Sequence, residues 1–209
     1  MQTARGTSIT SSSTPNSHRP IRRRWLYVCL SVLVAAAGLV LDVITKHLAA
    51  GRLDPYNPVV LFGGLLRLQL IRNSGAAFSL GEGYTPVFAV LAAAALLFVI
   101  IALLPRLRHS GWAVALGFLM AGVAGNLVDR IFREPGFFRG HVVDFLQLPH
   151  WAIFNVADMC VCTAAVMIVI LAIFRNISVG GEHYARKGPA DRQTEENGAE
   201  STTPGQSRS

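Results

Sequence analysis

The chain has 209 residues, 52% of them apolar and only 15% charged, with a formal net charge of +7. That length allows one domain of ordinary size, and the balance suits a membrane protein better than a soluble one. The basic residues are spread over tails and loops with no aromatic-interleaved basic face, so nucleic acid is excluded as a partner and the charge reads as a topology signal.

Residues 1–18 are rich in Ser, Thr and Pro, lack an apolar pattern and read as a disordered tail. Arg19 and Arg22-Arg23-Arg24 precede an apolar run over residues 25–41. This run resembles a secretory signal peptide with Ala35 and Ala37 at its cleavage site, but it continues to Leu41, which suits a retained span. A lipoprotein cleavage box ending at Cys29 is disfavoured, because Tyr27 and Val28 stand where small residues are wanted. Cys29, Cys160 and Cys162 all lie in apolar runs, without zinc-site or disulfide spacing, and are expected to be small buried apolar side chains.

Three more apolar runs follow, over residues 86–104, 112–131 and 153–174. Each is about 20 residues, enough at ~1.5 Å per residue to cross a hydrocarbon core of about 30 Å. Pro105 to His109 leaves room only for a tight turn between the second and third. The Arg cluster near the N-terminus, Arg106, Arg108 and Arg175 fall on one side of the resulting topology, which marks that side and both termini as cytoplasmic. Lys46, Arg52, Arg67, Arg72, Arg133 and Arg139 on the other side leave the asymmetry incomplete.

Between the first two spans, Leu66, Leu68 and Leu70 alternate with Arg67, Gln69 and Ile71, a period-two strand pattern. Val59-Val60-Leu61-Phe62 before Gly63-Gly64 reads as its hairpin partner. Pro135-Gly136 followed by Phe137-Phe138 reads as a turn and an interfacial aromatic anchor. The predicted fold is a mostly α membrane protein: four transmembrane helices, a small extracytoplasmic β-sheet and an interfacial segment. It divides into a disordered basic cytoplasmic tail (1–24), a four-helix membrane domain (25–175) and a second disordered cytoplasmic tail (176–209).

This topology brings the polar residues together. Asp42, Thr45 and Lys46 share a face at the outer end of the first span, and Asn126, Asp129 and Arg130 do so on the third. Asn155 and Asp158 open the fourth, and Asn73 and Asp144 sit on outward loops. Each has a structural alternative. Asp42 and Lys46 can be a helical ion pair with Lys46 snorkelling to the interface. Asp129 and Arg130 can close a helix end, Asn73-Ser74-Gly75 can be a plain turn, and Asp144 and Asp158 can be a loop carboxylate and a helix cap. His141 and Asp144 lack a third metal ligand, so no metal is expected. Two neighbouring carboxylates cannot both ionise cheaply. One then takes a proton from water while the other donates to a carbonyl oxygen, the minimum equipment for hydrolysing an amide without a covalent intermediate. Ser74 and Ser79 have no well-placed His, and no cysteine lies at this surface.

Five stretches carry a resemblance to a known family. They are Asp42-Val43-Ile44-Thr45-Lys46, Arg72-Asn73-Ser74-Gly75-Ala76-Ala77-Phe78, Gly125-Asn126-Leu127-Val128-Asp129-Arg130, Gly140-His141-Val142-Val143-Asp144-Phe145 and Phe154-Asn155-Val156-Ala157-Asp158. In this order they closely resemble bacterial lipoprotein signal peptidases, the signal peptidase II family, over about residues 25–175. The resemblance implies an aspartic endopeptidase of the plasma membrane that cuts a prolipoprotein just before its diacylglyceryl-modified Cys. It makes Asp144 and Asp158 the catalytic dyad, and Asn73, Asn126, Arg130 and Asn155 its support and the binders of substrate backbone. Asp42, Lys46 and Asp129 become structural or indirect contributors. It also implies a small periplasm-facing sheet and an interfacial helix. Lipid-modified prolipoproteins and membrane lipids are the expected partners, no cofactor is expected, and a monomer is. A groove between helices is expected to admit the signal helix sideways, with Phe137, Phe138 and Trp151 near the interface. The competing classes are a small proton- or ion-coupled transporter, which would carry acids near mid-bilayer and often an internal repeat, and a membrane scaffold, which would need no acid pair.

Overall fold

A computed structural model of the chain describes residues 20–75 and 85–182. Ser79, the Ala76-Ala77-Phe78 part of the second stretch and the outer parts of both tails lie outside the described residues. Four helices are long and apolar enough to cross a membrane: Arg24–Arg52, Thr85–Arg106, Ser110–Phe132 and Val156–Phe174. The chain is a multi-pass membrane protein of mostly helical fold with a small three-stranded sheet.

Helix α1 (Pro20–Arg52) runs for 33 residues, past the apolar run that stops at Leu41 and past Lys46, where its outer end was expected. Asp42 and Lys46 do not end it, because both are buried inside the protein and paired there instead of meeting lipid. Residues 20–24, expected to belong to a disordered tail, are helical. Helix α2 (Thr85–Phe98) continues through a π-turn (Val99–Leu103) and a 3-10 turn (Leu104–Arg106) into the tight connection at Leu107. Helix α3 (Ser110–Phe132) is the most buried span and the centre of the bundle.

Small residues put α3 at the centre. Lipid offers no hydrophobic drive for one apolar helix to leave it for another, so helices associate where backbones approach closely. A Cβ on Gly117 would stand 2.7 Å from Val34 Cβ and 2.8 Å from Ser31 O of α1. One on Gly122 would stand 2.4 Å from the carbonyl oxygen of Ala157, at the start of helix α4 (Val156–Val169). Glycine here is therefore a matter of interhelical space. It lets α3 touch α1 and α4 at once and brings their polar residues within reach of its own.

At one end of the bundle, Leu107, Trp112, Leu116, Met120 and Leu171 form an apolar cluster. Ile177 completes it, its carbonyl accepting from Trp112 Nε1 at 3.0 Å. Arg108 N also donates to Val179 O at 3.1 Å. Residues 176–182 are thus packed against the α2–α3 connection and are not the start of a disordered tail.

At the other end lies an antiparallel sheet in the order β1-β2-β3. Strands β1 (Val59–Leu61) and β2 (Leu66–Asn73) form the predicted hairpin, pairing Val59 with Leu68 and Leu61 with Leu66. The turn between them uses left-handed backbone at Phe62, Gly63 and Gly64. The third strand, β3 (Val142–Gln147), replaces the polar loop predicted around Asp144. It pairs Asp144 with Ile71 and Val142 with Asn73. Val142, Val143, Asp144 and Phe145 are all buried, so the strand lacks the alternation that reveals a half-exposed one. Leu70, Val143 and Phe145 pack with Ala49 of α1, seating the sheet on the helices. The Pro135-Gly136 turn is present, and Phe137 meets Phe138 edge to face at 4.7 Å. Of the cysteines only Cys160 is buried, whereas Cys29 and Cys162 lie on exposed helix surface, contrary to expectation.

Candidate active site

The predicted site residues gather where the sheet meets the ends of α1, α3 and α4, and the start of α4 sets their arrangement. Asn155 caps that helix: its Oδ1 accepts from Asp158 N at 3.0 Å, while Asp158 Oδ2 accepts from Asn155 N at 3.1 Å. This reciprocal capping box is why the sequence starts a helix here. The structural alternative for Asp158 is therefore realised, but it occupies one carboxylate oxygen only.

The cap also fixes the amides. Because Asn155 Oδ1 faces a backbone N–H, its Nδ2 must point the other way. It donates to Asp144 Oδ1 at 2.6 Å and to Asn126 Oδ1 at 3.2 Å. Asn126 Oδ1 accepts from Lys46 Nζ as well, at 3.0 Å, so Asn126 Nδ2 turns to Asp158 Oδ1 at 2.8 Å. Asn73 Nδ2, from the end of β2, donates to Asp144 Oδ2 at 2.9 Å. Asn73 Oδ1 accepts from Gly75 N at 2.8 Å, so the predicted turn and the contact with Asp144 coexist. Three asparagines thus tie the two carboxylates into one network, each amide oriented by a partner behind it.

Asp144 is buried, 3% exposed. Burial pushes its carboxyl up to about 6, with the charge of Asp158 adding a smaller push, against the lowering effect of the hydrogen bonds from Asn73 and Asn155. A carboxyl poised in this range can hold or release a proton near neutrality.

Behind the network sits a buried ion cluster. Lys46 Nζ stands 2.8 Å from Asp42 Oδ2 and 2.9 Å from Asp129 Oδ2. Lys46 is fully buried, so it does not snorkel. Asp42 Oδ1 accepts from Ala157 N at 2.8 Å, another orphan donor of the first turn of α4. Asp129 pairs with Arg133 and accepts from Val143 N at 3.2 Å, which holds β3 to α3. Thr45 does not join the cluster. Its hydroxyl bonds back to Leu41 O at 2.8 Å and Asp42 O at 3.0 Å of its own helix. Arg130 also stands apart from this cluster: Nη1 donates to Asn126 O at 3.0 Å, and the buried Nε has no hydrogen-bond partner among the described residues.

A groove of about 350 Å³ opens from the network between α2, α3 and α4. Asn126, Arg130 and Asp158 line its polar end, and Phe88, Ala92, Ala95 and Val161 its apolar walls. Phe88 was missed in the sequence, where one Phe in an apolar run carries no signal. His141 is half-buried, and among the described residues no group of three or more His, Cys, Asp or Glu side chains stands together as a metal site.

Comparison with known proteins gives concordant relatives. The family profile described as Signal peptidase (SPase) II matches residues 34–174. A lipoprotein signal peptidase of Mycobacterium avium (strain 104) is 46% identical over 168 residues, covering 79% of this chain and 87% of that one. One from Streptomyces coelicolor is 45% identical over 155 residues, 74% of each chain. A bacterial membrane enzyme structure determined by the in meso method at 1.9 Å resolution aligns with a TM-score of 0.59 at 26% identity, covering 68% of this chain and 92% of that one.

Proposed function

We propose that this chain, which belongs to the signal peptidase II family, removes signal peptides from prolipoproteins with Asp144 and Asp158 as its catalytic pair. The observation that carries this reading is the asparagine network, in which Asn155 touches both carboxylates and Asn126 turns a donor to Asp158. Such a network supports two acids held close with one proton between them, and the raised Asp144 carboxyl is the member readier to hold it.

The reaction follows from that state. The ionised carboxylate takes a proton from a water that attacks the scissile carbonyl carbon. The protonated carboxyl donates to the carbonyl oxygen, giving a neutral tetrahedral diol. Collapse breaks the C–N bond as the nitrogen receives a proton from one acid and a diol hydroxyl returns its own to the other. The products are a new carboxyl end on the signal peptide and a free amine on the mature protein. No covalent intermediate is needed.

The bond cut is the one just before a diacylglyceryl-modified Cys, whose acyl chains stay in the leaflet where the network lies. The apolar groove between α2, α3 and α4 supports lateral entry of the signal helix, with exposed Phe137 and Trp151 at the interface. The distribution of Arg106, Arg108 and Arg175 at the opposite end supports an extracytoplasmic active site and cytoplasmic termini. Asn73, Asn126 and Asn155 orient the acids, and Arg130 faces substrate backbone.

Purified Asp144→Asn and Asp158→Asn proteins, offered a diacylglyceryl-modified prolipoprotein, should each lose cleavage by at least ~10³-fold, the order of loss when one member of a cooperating catalytic set is removed. Near wild-type turnover by either variant refutes the pair, and equal cleavage of a non-lipidated precursor by the unaltered protein refutes the substrate.

A further inference from the structure

We propose that Phe88 is a positioning residue for Arg130, its ring holding the guanidinium at the head of the groove beside the two carboxylates. This rests on the reading of the site given above, but on a separate set of contacts.

Arg130 is weakly tied by ordinary polar bonds. The one hydrogen bond of its side chain among the described residues runs from Nη1 to Asn126 O, and its buried Nε has no such partner. Asp129, the preceding residue, is engaged by Lys46 and Arg133. Arg130 nevertheless stands where the charges of Asp144 and Asp158 reach it. A long cationic side chain with one anchor has several rotamers open to it. The second support is the ring of Phe88, over which Arg130 Cζ lies 5.9 Å from the centroid. A cation over an aromatic face is attracted by the ring quadrupole, and more so where water is excluded.

Phe88 is itself fixed. It lies one turn after Thr85, whose buried hydroxyl donates to Ser74 O at 2.7 Å and binds the start of α2 to the end of β2. The ring abuts Gly75, where an added Cβ would stand 2.7 Å from Cδ2 and 2.8 Å from Cε2. Gly75 has φ +97, a left-handed conformation that glycine adopts without strain. The segment that carries Asn73 to Asp144 therefore also presses Phe88 toward Arg130. One structural unit, the β2 end and the α2 start, sets both the acid partner and the position of the cation.

The test uses the full chain in lipid nanodiscs with a diacylglyceryl-modified prolipoprotein. Phe88→Leu keeps apolar bulk in the groove and removes the ring face. It should lower kcat about fivefold to thirtyfold with KM little changed, equivalent to about 1–2 kcal/mol at 1.36 kcal/mol per tenfold. Phe88→Tyr, which restores the ring face, should restore most of kcat. In an Arg130→Gln background the same Phe88→Leu change should add less than about twofold, because no cation is left for the ring to hold. A rise in KM at unchanged kcat would make Phe88 a wall of the groove only, and additive losses would show that it acts without Arg130; either overturns the inference. A readout independent of turnover is modification of Arg130 by phenylglyoxal, followed by peptide mass spectrometry. It should be faster in Phe88→Leu than in wild type and slow again in Phe88→Tyr, and equal rates overturn the inference. If wild-type protein fails to cleave, the proposed function fails, and the phenylglyoxal comparison alone decides the role of Phe88.

Discussion

Lys46→Met should separate stability from activity. Lys46 is fully buried and holds Asp42 at 2.8 Å, Asp129 at 2.9 Å and Asn126 at 3.0 Å. Removing one partner of a buried ion pair leaves an uncompensated charge, typically at about 3–5 kcal/mol. Here the four-membered cluster of Asp42, Lys46, Asp129 and Arg133 carries two charges of each sign. Lys46→Met leaves it one negative charge in excess, and among the described residues the Asp42 carboxylate keeps only the Ala157 N–H as a partner. The single variant should therefore lose about 3–5 kcal/mol. The double variant Asp42→Asn/Lys46→Met restores a neutral Asp129–Arg133 pair and should recover more than half of that loss.

Activity should not follow. Both variants strip from Asn126 Oδ1 the shorter of the two bonds that keep Asn126 Nδ2 on Asp158, leaving only Asn155 Nδ2 at 3.2 Å to hold the amide among the described residues. The amide can then flip, presenting an oxygen to a carboxylate. Unfolding in mixed detergent micelles gives the stability difference, and cleavage of lipidated prolipoprotein at a temperature where all proteins are folded gives kcat. A loss below about 1 kcal/mol for Lys46→Met would mean that the cluster behaves like an exposed pair and refutes its energetic reading. Full activity in the stable double variant would refute the amide-orienting role.

The Asp144 carboxyl also makes stability depend on pH. Its value, raised from 3.8 to about 6 in the folded state, means that the folded protein binds this proton more tightly than the unfolded chain does. That contribution is fully present below pH 4 and is lost as pH rises through 6. At about 1.36 kcal/mol per unit it amounts to about 3 kcal/mol. Measured unfolding free energies of Asp144→Asn relative to wild type should therefore shift in favour of the variant by about that much between pH 4 and 7, and a flat difference refutes the assignment. Gly140→Ala should destabilise by more than ~2 kcal/mol through forced backbone displacement, since its Cβ would stand 2.2 Å from Asp129 O and 2.8 Å from Arg133 O. Chemical unfolding reads this, and an unchanged midpoint would refute the packing at the α3–β3 turn.

What the sequence disclosed and what it hid follow from where each side chain finds its partner. Spans and the β1–β2 hairpin were legible because lipid and water impose strong periodic signals on the residues that face them. Strand β3 was not, because Val142, Val143, Asp144 and Phe145 face neither. Buried on both sides, they show no period of two, and the Asp among them suggested a loop. The end of α1 was misplaced for a related reason. Asp42 and Lys46 are polar, and a rule built on lipid exposure puts the outer end of the span at them, yet they pair with each other and with groups of α3 and α4, and the helix runs on to Arg52. Spacing alone grouped Thr45 with them, although its hydroxyl has a sufficient acceptor in its own helix. The convergence of the acids at one end of the bundle was visible because helix direction and i, i+3, i+4 spacing fix level and face together. The order of command within the site was not visible. It begins with the α4 cap, which orients Asn155. Asn155 and Lys46 orient Asn126, and Asn126 addresses Asp158. A helix cap and a buried lysine, each sufficiently explained as a structural device, together determine which atoms face the two carboxylates. The structural and functional readings of these residues are therefore one arrangement, because the bonds that start α4 are the bonds that aim the site.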